Sequence, residues 1–527
     1  MHSQTAGLAT LLFLGSAFSA APQTAVTTYH YDNNRTGWNQ TETVLTPANV
    51  GTSAFGLLKT IKLNDQVDAQ PLVVPGVQIT AGSFQGTYTV VYVVTESNTV
   101  YAIDTISGTV LLSPSLGTPV SSYTGCGGAL RNVGITSTPV IDLSSSTLYV
   151  MAYTQTSNGP AYYLHALNLG NLTDNIPPQL VTASHTLSDG STWNFNASYQ
   201  RQRPGLLLAN GTIYAAFGSF CDRSANLSRG WLLGWTAGTL APLPINQLNN
   251  QLATSPNTYF MSSIWMAGYA PSTDDAGNVL FVTGNSDPFG TTYDGVNNIQ
   301  ESVVKMSPTL SSLLSLFTPS NQANLDEDDS DFGSGGVLVL PDQPGSIPHL
   351  AVAAGKAGSM YLMNEDSLGG YSTMTNNVLG TYSIGPCWCG QSYFVSPTDG
   401  AGRVVTSGGT TLMVWKVSTT PTAQLTKVGG AAIGASVQQG GFFTSISSNG
   451  TSNPIVWALS RPLKSAQSAI TLYAFNPLTK GTLTKLFAAS TGAWPNLGSD
   501  SNLVPVVANG EVFVAGYKQL TIFGLTQ

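Results

Sequence analysis

Three short apolar segments separated by turns make up residues 89–112, TVVYVVTESNTVYAIDTISGTVLL. Runs rich in Val, Ile and Tyr between turn residues predict β-strands. Neither of the two longer runs alternates between apolar and polar residues, which indicates that both faces of this sheet are covered. Because a sheet of three short strands cannot cover its own faces, the rest of the chain must supply similar sheets as neighbours.

The same pattern of apolar runs recurs along the chain and defines eight units of roughly 50 to 70 residues. The second run of a unit reads TIYAAFGS, VLFVTGN or LAVAAGK, for example, and the fourth unit opens with IWMAGYAP at residues 264–271. Four-stranded units without intervening helices predict an all-β fold, an eight-bladed β-propeller of four-stranded antiparallel blades. The alternatives are a β-helix, which would show a shorter and stricter repeat, and a pair of β-sandwiches, which would not need a strand from the other end of the chain.

The last unit ends at Leu525 without a fourth strand. The run FGLLKTIKL at residues 55–63 precedes the first unit and can supply that strand. We therefore expect a ring that is closed by an amino-terminal strand in the last blade.

Charged residues make up only 8% of the 527 residues, against roughly 25% in an average globular chain. The net charge is −8, and the chain has no cluster of Lys and Arg, which argues against nucleic acid and anionic membranes as partners. No mature segment is long and apolar enough for a membrane span. With no break in composition, residues 21–527 are expected to form one domain and the protein to be a monomer.

Residues 1–20 have the composition of a secretory signal peptide. An apolar run at residues 8–18 is followed by small residues, and cleavage is expected near residues 19–21. The segment before the run has no Lys or Arg, which such signals usually carry. The expected location is secreted or periplasmic.

Four cysteines, Cys126, Cys221, Cys387 and Cys389, permit two disulfides in three pairings. The simplest pairing joins Cys126 to Cys221. It leaves Cys387 and Cys389 either as a tight loop around Trp388 or as two free thiols. Zinc is a weaker interpretation because the four residues do not form two CxxC pairs.

Three segments resemble the pyrroloquinoline quinone (PQQ) dehydrogenases. YHYDNNRTGWNQTETVLTPANV at residues 29–50 is similar to their entry segment, and VYAIDTISG at residues 100–108 resembles the PQQ-type repeat. Residues 263–285 resemble the blade that carries a quinone-stacking Trp and a calcium-binding Asn. The resemblance implies a quinoprotein alcohol dehydrogenase-like propeller, and the chain looks most like secreted PQQ-like repeat proteins.

The resemblance implies a cofactor site with PQQ and calcium. Trp265 matches the stacking Trp, although a Trp packed between blades is an equal alternative. Asn285 matches the calcium-binding Asn, with a turn-forming role as its alternative. Asp222 is the carboxylate near the position of the family's calcium-binding Glu, but the spacing differs. Arg131 matches the family's Arg.

Two departures from the family put a dehydrogenase activity in doubt. Ser307 stands where the resemblance places the general-base Asp, and a Ser cannot take a proton from an alcohol without a partner base. Cys126 is followed by Gly127, so the ring of two adjacent cysteines found in the family cannot form. The chain also has no CxxCH motif, so no covalent haem is expected.

Five carboxylates crowd the segment LDEDDSDFGSGG at residues 325–336. Crowded carboxylates repel one another unless a cation or raised pKa values relieve them. The segment therefore predicts a calcium site that includes Asp328 and Asp329, and its alternative is a solvated loop. It resembles the acidic stretch of the family that lies near the central funnel.

These observations leave three functional hypotheses. The first is a secreted quinoprotein-like propeller that has lost the full PQQ site and binds a small-molecule or protein ligand at its funnel or rim. The second is a PQQ- and calcium-dependent dehydrogenase of an alcohol or sugar. The third is a non-redox enzyme that uses the same funnel.

Overall fold

Eight four-stranded antiparallel sheets form the protein in a computed structural model, which confirms the predicted eight-bladed β-propeller. The structure describes residues 23–121, 132–220, 222, 224, 226–254, 259–286, 293–434, 436, 438–462, 469–496 and 501–526. The predictions for residues 1–20, Cys126, Arg131 and Cys221 lie outside these residues.

Each blade runs from an inner first strand to an outer fourth strand, and the bounds follow in that order. Blade 1 comprises Leu72–Ile79, Gly86–Val94, Val100–Asp104 and Val110–Leu112; blade 2, Val140–Asp142, Thr147–Thr156, Gly159–Asn168 and Gln179–Leu180; blade 3, Leu207–Ala209, Thr212–Ser219, Trp231–Thr236 and Gln247–Leu248; blade 4, Ser272–Thr273, Val279–Val282, Val303–Met306 and Leu313–Thr318. Blade 5 comprises Val337–Val339, Leu350–Ala354, Ser359–Asn364 and Gly380–Ser383; blade 6, Ser392–Val395, Gly402–Thr406, Thr411–Ser418 and Gln424–Ala432; blade 7, Thr444–Asn449, Ser452–Leu459, Ala469–Asn476 and Thr484–Ala493; blade 8, Val506–Ala508, Glu511–Ala515, Tyr517–Leu525 and Phe55–Gln66.

Short additional elements decorate the blades. Gln200–Gln202 joins blade 3, and the parallel strands Gly370–Tyr371, Gly481–Thr482 and Trp38–Asn39 join blades 4, 6 and 7; Val120–Ser121 pairs with Asn132–Val133, and Ser184–Thr186 with Thr192–Asn194. The helices are Pro47–Val50 and Gln322–Glu327, with 3₁₀ turns at Met266–Gly268 and Phe332–Ser334. Among the described residues, no helix has the length and apolar character that a membrane crossing requires.

The strands of blade 1 are buried on both faces, as their continuous apolar sequence indicates. Every residue of Val100–Asp104 is buried, and so are the last five residues of Gly86–Val94. Neighbouring blades cover these faces, because Val90 and Tyr92 pack with blade 2 while Val91 and Val93 pack with blade 8. The repeat is therefore held together mainly by apolar contacts between blades.

The last blade combines strands from the two ends of the chain. Phe55–Gln66 pairs antiparallel with Tyr517–Leu525, with Phe55 opposite Leu525 and Ile61 opposite Leu520. The segment FGLLKTIKL thus lies beside the carboxy-terminal strand, at the outer edge of blade 8.

The prediction of a strand at residues 264–271 is wrong. This segment contains the 3₁₀ turn Met266–Gly268, and both Met266 (φ 38°) and Ala267 (φ 47°) have left-handed backbone conformations. The inner strand of blade 4 is the later Ser272–Thr273. The run is apolar because it is buried in the centre of the ring, and burial alone does not distinguish a strand from a buried loop.

The amino-terminal segment at residues 26–39, here called the axial segment, runs along the inside of the ring. It forms hydrogen bonds with the first strand of every blade, through Val73, Ile141, Leu208, Thr273, Val339, Tyr393, Ile446 and Val507 in blades 1 to 8. These bonds satisfy backbone groups on the inner edges of the sheets. The axial segment thereby connects all eight blades around the axis.

Candidate functional site

Functional side chains gather where the second strands of the blades end. In an antiparallel blade the end of the second strand lies beside the start of the first, as Ala353 lies opposite Val337 in blade 5. Ser219, Asn285 and Lys356 stand at or just after the ends of the second strands of blades 3, 4 and 5. The propeller repeat therefore brings them to the same end of the axis.

A cavity of about 210 Å³ opens at this end of the axis. It is lined by three cationic side chains, two carboxylates, two indoles and one hydroxyl, namely Arg201, Arg203, Lys356, Asp222, Asp331, Trp265, Trp388 and Ser219. Aromatic faces and convergent charges in one concave site are typical of small-molecule binding.

Lys356 is the central charge of the cavity. Its Nζ lies 2.7 Å from Asp329 Oδ1 and 2.7 Å from Asp331 Oδ2. The same Nζ lies 5.5 Å from the ring centroid of Trp265 and 5.6 Å from that of Trp388, within cation–π range of both indoles. The ammonium therefore joins the acidic and aromatic parts of the site.

Asp331 is held in place at the wall of the cavity. Its Oδ1 accepts a hydrogen bond of 2.7 Å from the backbone N–H of Asn285. A Cβ atom added to Gly284 would lie 2.8 Å from Asp331 Oδ1 and 3.1 Å from Trp265 Nε1. Since glycine alone leaves room for both groups, Gly284 allows the carboxylate and the indole to lie side by side.

The crowding of carboxylates changes their pKa values. Burial and the neighbouring Asp331 raise the pKa of Asp222 to about 6, although Ser219 donates a hydrogen bond of 2.6 Å to it. Behind the cavity, burial together with Asp331 and Asp326 raises the pKa of Glu301 well above its ordinary value. Burial lowers the pKa of Lys356, but its two carboxylate partners outweigh this and raise it overall. Lys356 is therefore charged at neutral pH.

Two arginines supply the remaining positive charge. The guanidinium of Arg203 lies 5.4 Å from the ring centroid of Trp265, and that of Arg201 lies 6.0 Å from Phe220. The buried Nε of Arg201 has no hydrogen-bond partner among the described residues. The cavity thus holds three cations against two carboxylates, and one of these carboxylates is partly protonated near pH 6.

The structure brings some of the predicted site residues together and leaves others apart. Trp265 and Asp222 line the cavity, and Asn285 lies behind it. Asp329 forms the ion pair with Lys356, but its side chain is 66% exposed. Asp328 is exposed at the end of helix Gln322–Glu327.

A metal site does not emerge from these positions. No three His, Cys, Asp or Glu side chains come together as a potential metal site in the described part of the chain. Both oxygens of Asp331 are engaged, one by the Asn285 N–H and one by the Lys356 ammonium. The calcium ligands Asn285, Asp222, Asp328 and Asp329 therefore remain a prediction.

One of the two departures from the resembled family can be located, because Ser307 is described while Cys126 lies outside the described residues. Ser307 lies in the turn between Val303–Met306 and Leu313–Thr318, where its N–H donates to Ser312 O. Ser307 does not line the cavity, whereas the carboxylates of Asp331 and Asp222 do. Cys387 and Cys389 are bonded to each other at 1.96 Å, on either side of the cavity residue Trp388.

Sequence reasoning missed Lys356, Arg201, Arg203, Trp388 and the central role of Asp331. For Lys356 a signal was present, because LAVAAGK ends at the same point of the repeat as VLFVTGN, which ends in Asn285. Asp331 belongs to the acidic segment at residues 325–336, but the sequence did not single it out from the other carboxylates there. Nothing in the sequence distinguished Arg201 and Arg203, which precede the first strand of blade 3.

Comparisons with known proteins rest on structure alone. No protein-family model matches the chain, and no curated protein matches its sequence. The quinohemoprotein alcohol dehydrogenase ADHIIG from Pseudomonas putida HK5 aligns with a TM-score of 0.60 at 14% identity, over 95% of this chain and 80% of that chain. A europium-containing methanol dehydrogenase aligns with a TM-score of 0.59 at 11% identity, over 95% and 98% of the two chains. This protein therefore has the eight-bladed fold of the quinoprotein alcohol and methanol dehydrogenases.

Proposed function

We propose that the protein binds a small, flat, anionic ligand in its central cavity and acts as a ligand-binding propeller. The observation that carries this proposal is the lining of the cavity, in which Lys356, Arg201 and Arg203 meet two indole rings. Cations recognise carboxylates, and indole faces stack on planar rings. The small volume of the cavity, about 210 Å³, favours a small molecule over a protein segment.

PQQ is one ligand of this chemical class, and the residues present fit it. It is a flat ring system with carboxylates, which Trp265 could support from below while Arg201, Arg203 and Lys356 hold the acidic groups. The calcium that accompanies PQQ in the resembled family fits less well, since Lys356 already neutralises Asp331. Binding without added calcium is therefore expected.

The test is a titration of the purified protein with PQQ, followed by quinone absorbance and by calorimetry, with and without calcium. Saturable binding is expected, and Lys356→Met should weaken it by about tenfold to a hundredfold, the loss of one charged hydrogen bond. Lys416→Met is the matched control, because Lys416 pairs with Asp399 at the periphery of blade 6. If PQQ and simple aromatic dicarboxylates all fail to bind, the proposal is wrong.

A second candidate is a PQQ-dependent dehydrogenase of an alcohol or sugar. The favouring observation is Asp331, a carboxylate beside Trp265 that could take the hydroxyl proton of the substrate. Lys356 would hold this carboxylate ionised and oriented. PQQ, when bound, supplies the oxidising group that accepts two electrons from the substrate.

Activity separates the two candidates. The PQQ-loaded protein is mixed with primary alcohols and aldoses, and the reduction of an artificial dye is recorded. Binding without dye reduction is expected for a ligand-binding propeller. Dye reduction that disappears in Asp331→Asn, while PQQ still binds, would establish the dehydrogenase instead.

We also propose that the mature protein begins after a leader at residues 1–20, forms one domain and works outside the cytoplasm as a monomer. The support is the apolar leader-like segment and the low content of charged residues. The amino-terminal sequence and the mass of the protein from its natural host would test this. Retention of residues 1–20 would contradict it.

A further inference from the structure

Residues 387–389 form a three-residue loop that is closed by its own disulfide. Cys387 and Cys389 are completely buried, whereas Trp388 between them is half-buried and lines the cavity. A residue between two covalently joined and buried neighbours has little backbone freedom. The bridge therefore restricts where the indole of Trp388 lies.

One side of this loop is tied to the charged residues of the cavity. The N–H of Cys387 donates to the carbonyl of Gly355, the residue before Lys356, at 3.2 Å. Ser334 Oγ lies 2.7 Å from Cys387 O and 3.0 Å from Asp331 O. The loop therefore shares hydrogen bonds with the backbone that presents both partners of the central ion pair.

The other side of the loop is held by blades 6 and 7. The N–H of Trp388 donates to Gly440 O at 3.0 Å, and Arg461 Nη2 donates to Trp388 O at 2.6 Å. A Cβ atom on Gly441 would lie 2.9 Å from Cys389 Cβ, and Gly441 has a φ of 89°. Gly441 therefore allows the backbone of blade 7 to approach Cys389 more closely than a residue with a side chain would.

From these contacts we infer that Trp388 determines the specificity of the cavity for flat ligands, and that Cys387 and Cys389 are the residues that position it. The ring centroids of Trp265 and Trp388 lie 5.5 Å and 5.6 Å from Lys356 Nζ, so an anion held by the ammonium lies close to both indoles. Stacking on an aromatic face requires a planar partner. This inference rests on the proposed function, because it names the shape of ligand that the same cavity prefers.

The test compares two probes of equal charge, naphthalene dicarboxylate and its fully hydrogenated, puckered decalin analogue. Calorimetry should show that the wild-type protein binds the flat probe about tenfold more tightly, the value of one good aromatic contact. Trp388→Leu should remove most of this preference while both probes still bind through the cations. Trp388→Phe should restore it, since phenylalanine keeps an aromatic face.

The double variant Cys387→Ser with Cys389→Ser should resemble Trp388→Leu, with thermal unfolding recorded to show that it folds. If it does not fold, Trp388→Leu, in which the bridge is intact, still decides the role of the indole. An unchanged preference in Trp388→Leu would overturn the inference and leave the proposed function standing. Failure of both probes to bind the wild-type protein would overturn both.

Discussion

Two lysines of blades 4 and 5 each join two carboxylates, and their surroundings differ. Lys305 Nζ lies 2.7 Å from Asp274 Oδ2 and 2.7 Å from Glu365 Oε1. Lys356 Nζ makes the same two short contacts with Asp329 and Asp331. We refer to these groups as the Lys305 triad and the Lys356 triad.

The Lys305 triad is closed on all sides. The side chains of Lys305, Asp274 and Glu365 are 9%, 6% and 8% exposed. Asp274 follows the first strand of blade 4, so this triad lies at the end of the blade away from the cavity. It joins blade 4 to Glu365 of blade 5, and none of its three residues lines the cavity described above.

The Lys356 triad is open on one side. Asp331 is 4% exposed, but Asp329 is 66% exposed, and two indoles and a third carboxylate, Asp222, face the same ammonium. Under the proposed function, one ion-pair pattern joins two blades in one place and lines a ligand cavity in another. What differs is whether the lysine has a neighbouring space that a ligand can enter.

The largest expected effect is on stability, from Lys305→Met. The substitution leaves Asp274 and Glu365 buried without their counter-charge, so the free energy of unfolding should fall by about 3–5 kcal/mol. Ligand binding should be unchanged in the protein that remains folded. Chemical denaturation measures the first effect and calorimetry the second. An unchanged unfolding midpoint would show that the Lys305 triad does not hold blades 4 and 5 together.

Lys356→Met should affect ligand binding more and stability less than Lys305→Met does. Asp329 would remain in solvent and Asp331 would keep its hydrogen bond from Asn285, so the loss of stability should be about half that of Lys305→Met. Anion binding, in contrast, should weaken by about tenfold to a hundredfold. Chemical denaturation and calorimetry on both variants compare their losses of stability and of affinity directly. Equal losses of affinity in the two variants would contradict the distinction between the triads.

The propeller could be predicted from sequence because its signal is repeated. Each unit repeats the burial pattern of residues 89–112, and a pattern that recurs eight times outweighs local ambiguity. The exception, residues 264–271, shows the limit of this reasoning. Its apolar residues are buried as expected, but they form a turn with left-handed residues at the centre of the ring.

The cavity was harder to predict because its residues come from distant parts of the sequence. Trp265 and Asp222 were identified through the resemblance to a family, and both line the cavity. Arg201 and Trp388 reach the same space from blades 3 and 5, and no spacing in the sequence relates them. The position of a residue within the repeat, at the end of a second strand, is the signal that would have identified Lys356.

The pH dependence of ligand binding should further distinguish the Lys356 triad from the Lys305 triad. The pKa of Asp222 is raised to about 6, so this carboxyl is neutral below that pH and negative above it. Asp331, Asp329, Lys356 and Ser219 are the groups that face it. Affinity for an anion should therefore fall by about tenfold as the pH rises through this value, because the ionised carboxylate repels the anion and a repulsion of about 1.4 kcal/mol is a tenfold change in affinity.

Asp222→Asn is the control for this pH dependence, because an amide cannot ionise. The variant should bind equally well on both sides of pH 6, with the affinity that the wild-type protein has at low pH. A wild-type affinity that rises with pH would contradict the assignment.

The smallest expected effect comes from Asp329→Asn, which changes the exposed arm of the Lys356 triad. An exposed ion pair contributes at most about 1 kcal/mol, so the free energy of unfolding should change by less than that. Anion affinity should rise slightly, by about twofold, because the ammonium of Lys356 is then neutralised by Asp331 alone. The matched change in the Lys305 triad is Glu365→Gln. It should lower the free energy of unfolding several times more than Asp329→Asn does, since it leaves the buried Lys305 ammonium with one partner. If denaturation shows similarly small changes in the free energy of unfolding for Asp329→Asn and Glu365→Gln, the difference in exposure does not explain how the two triads differ.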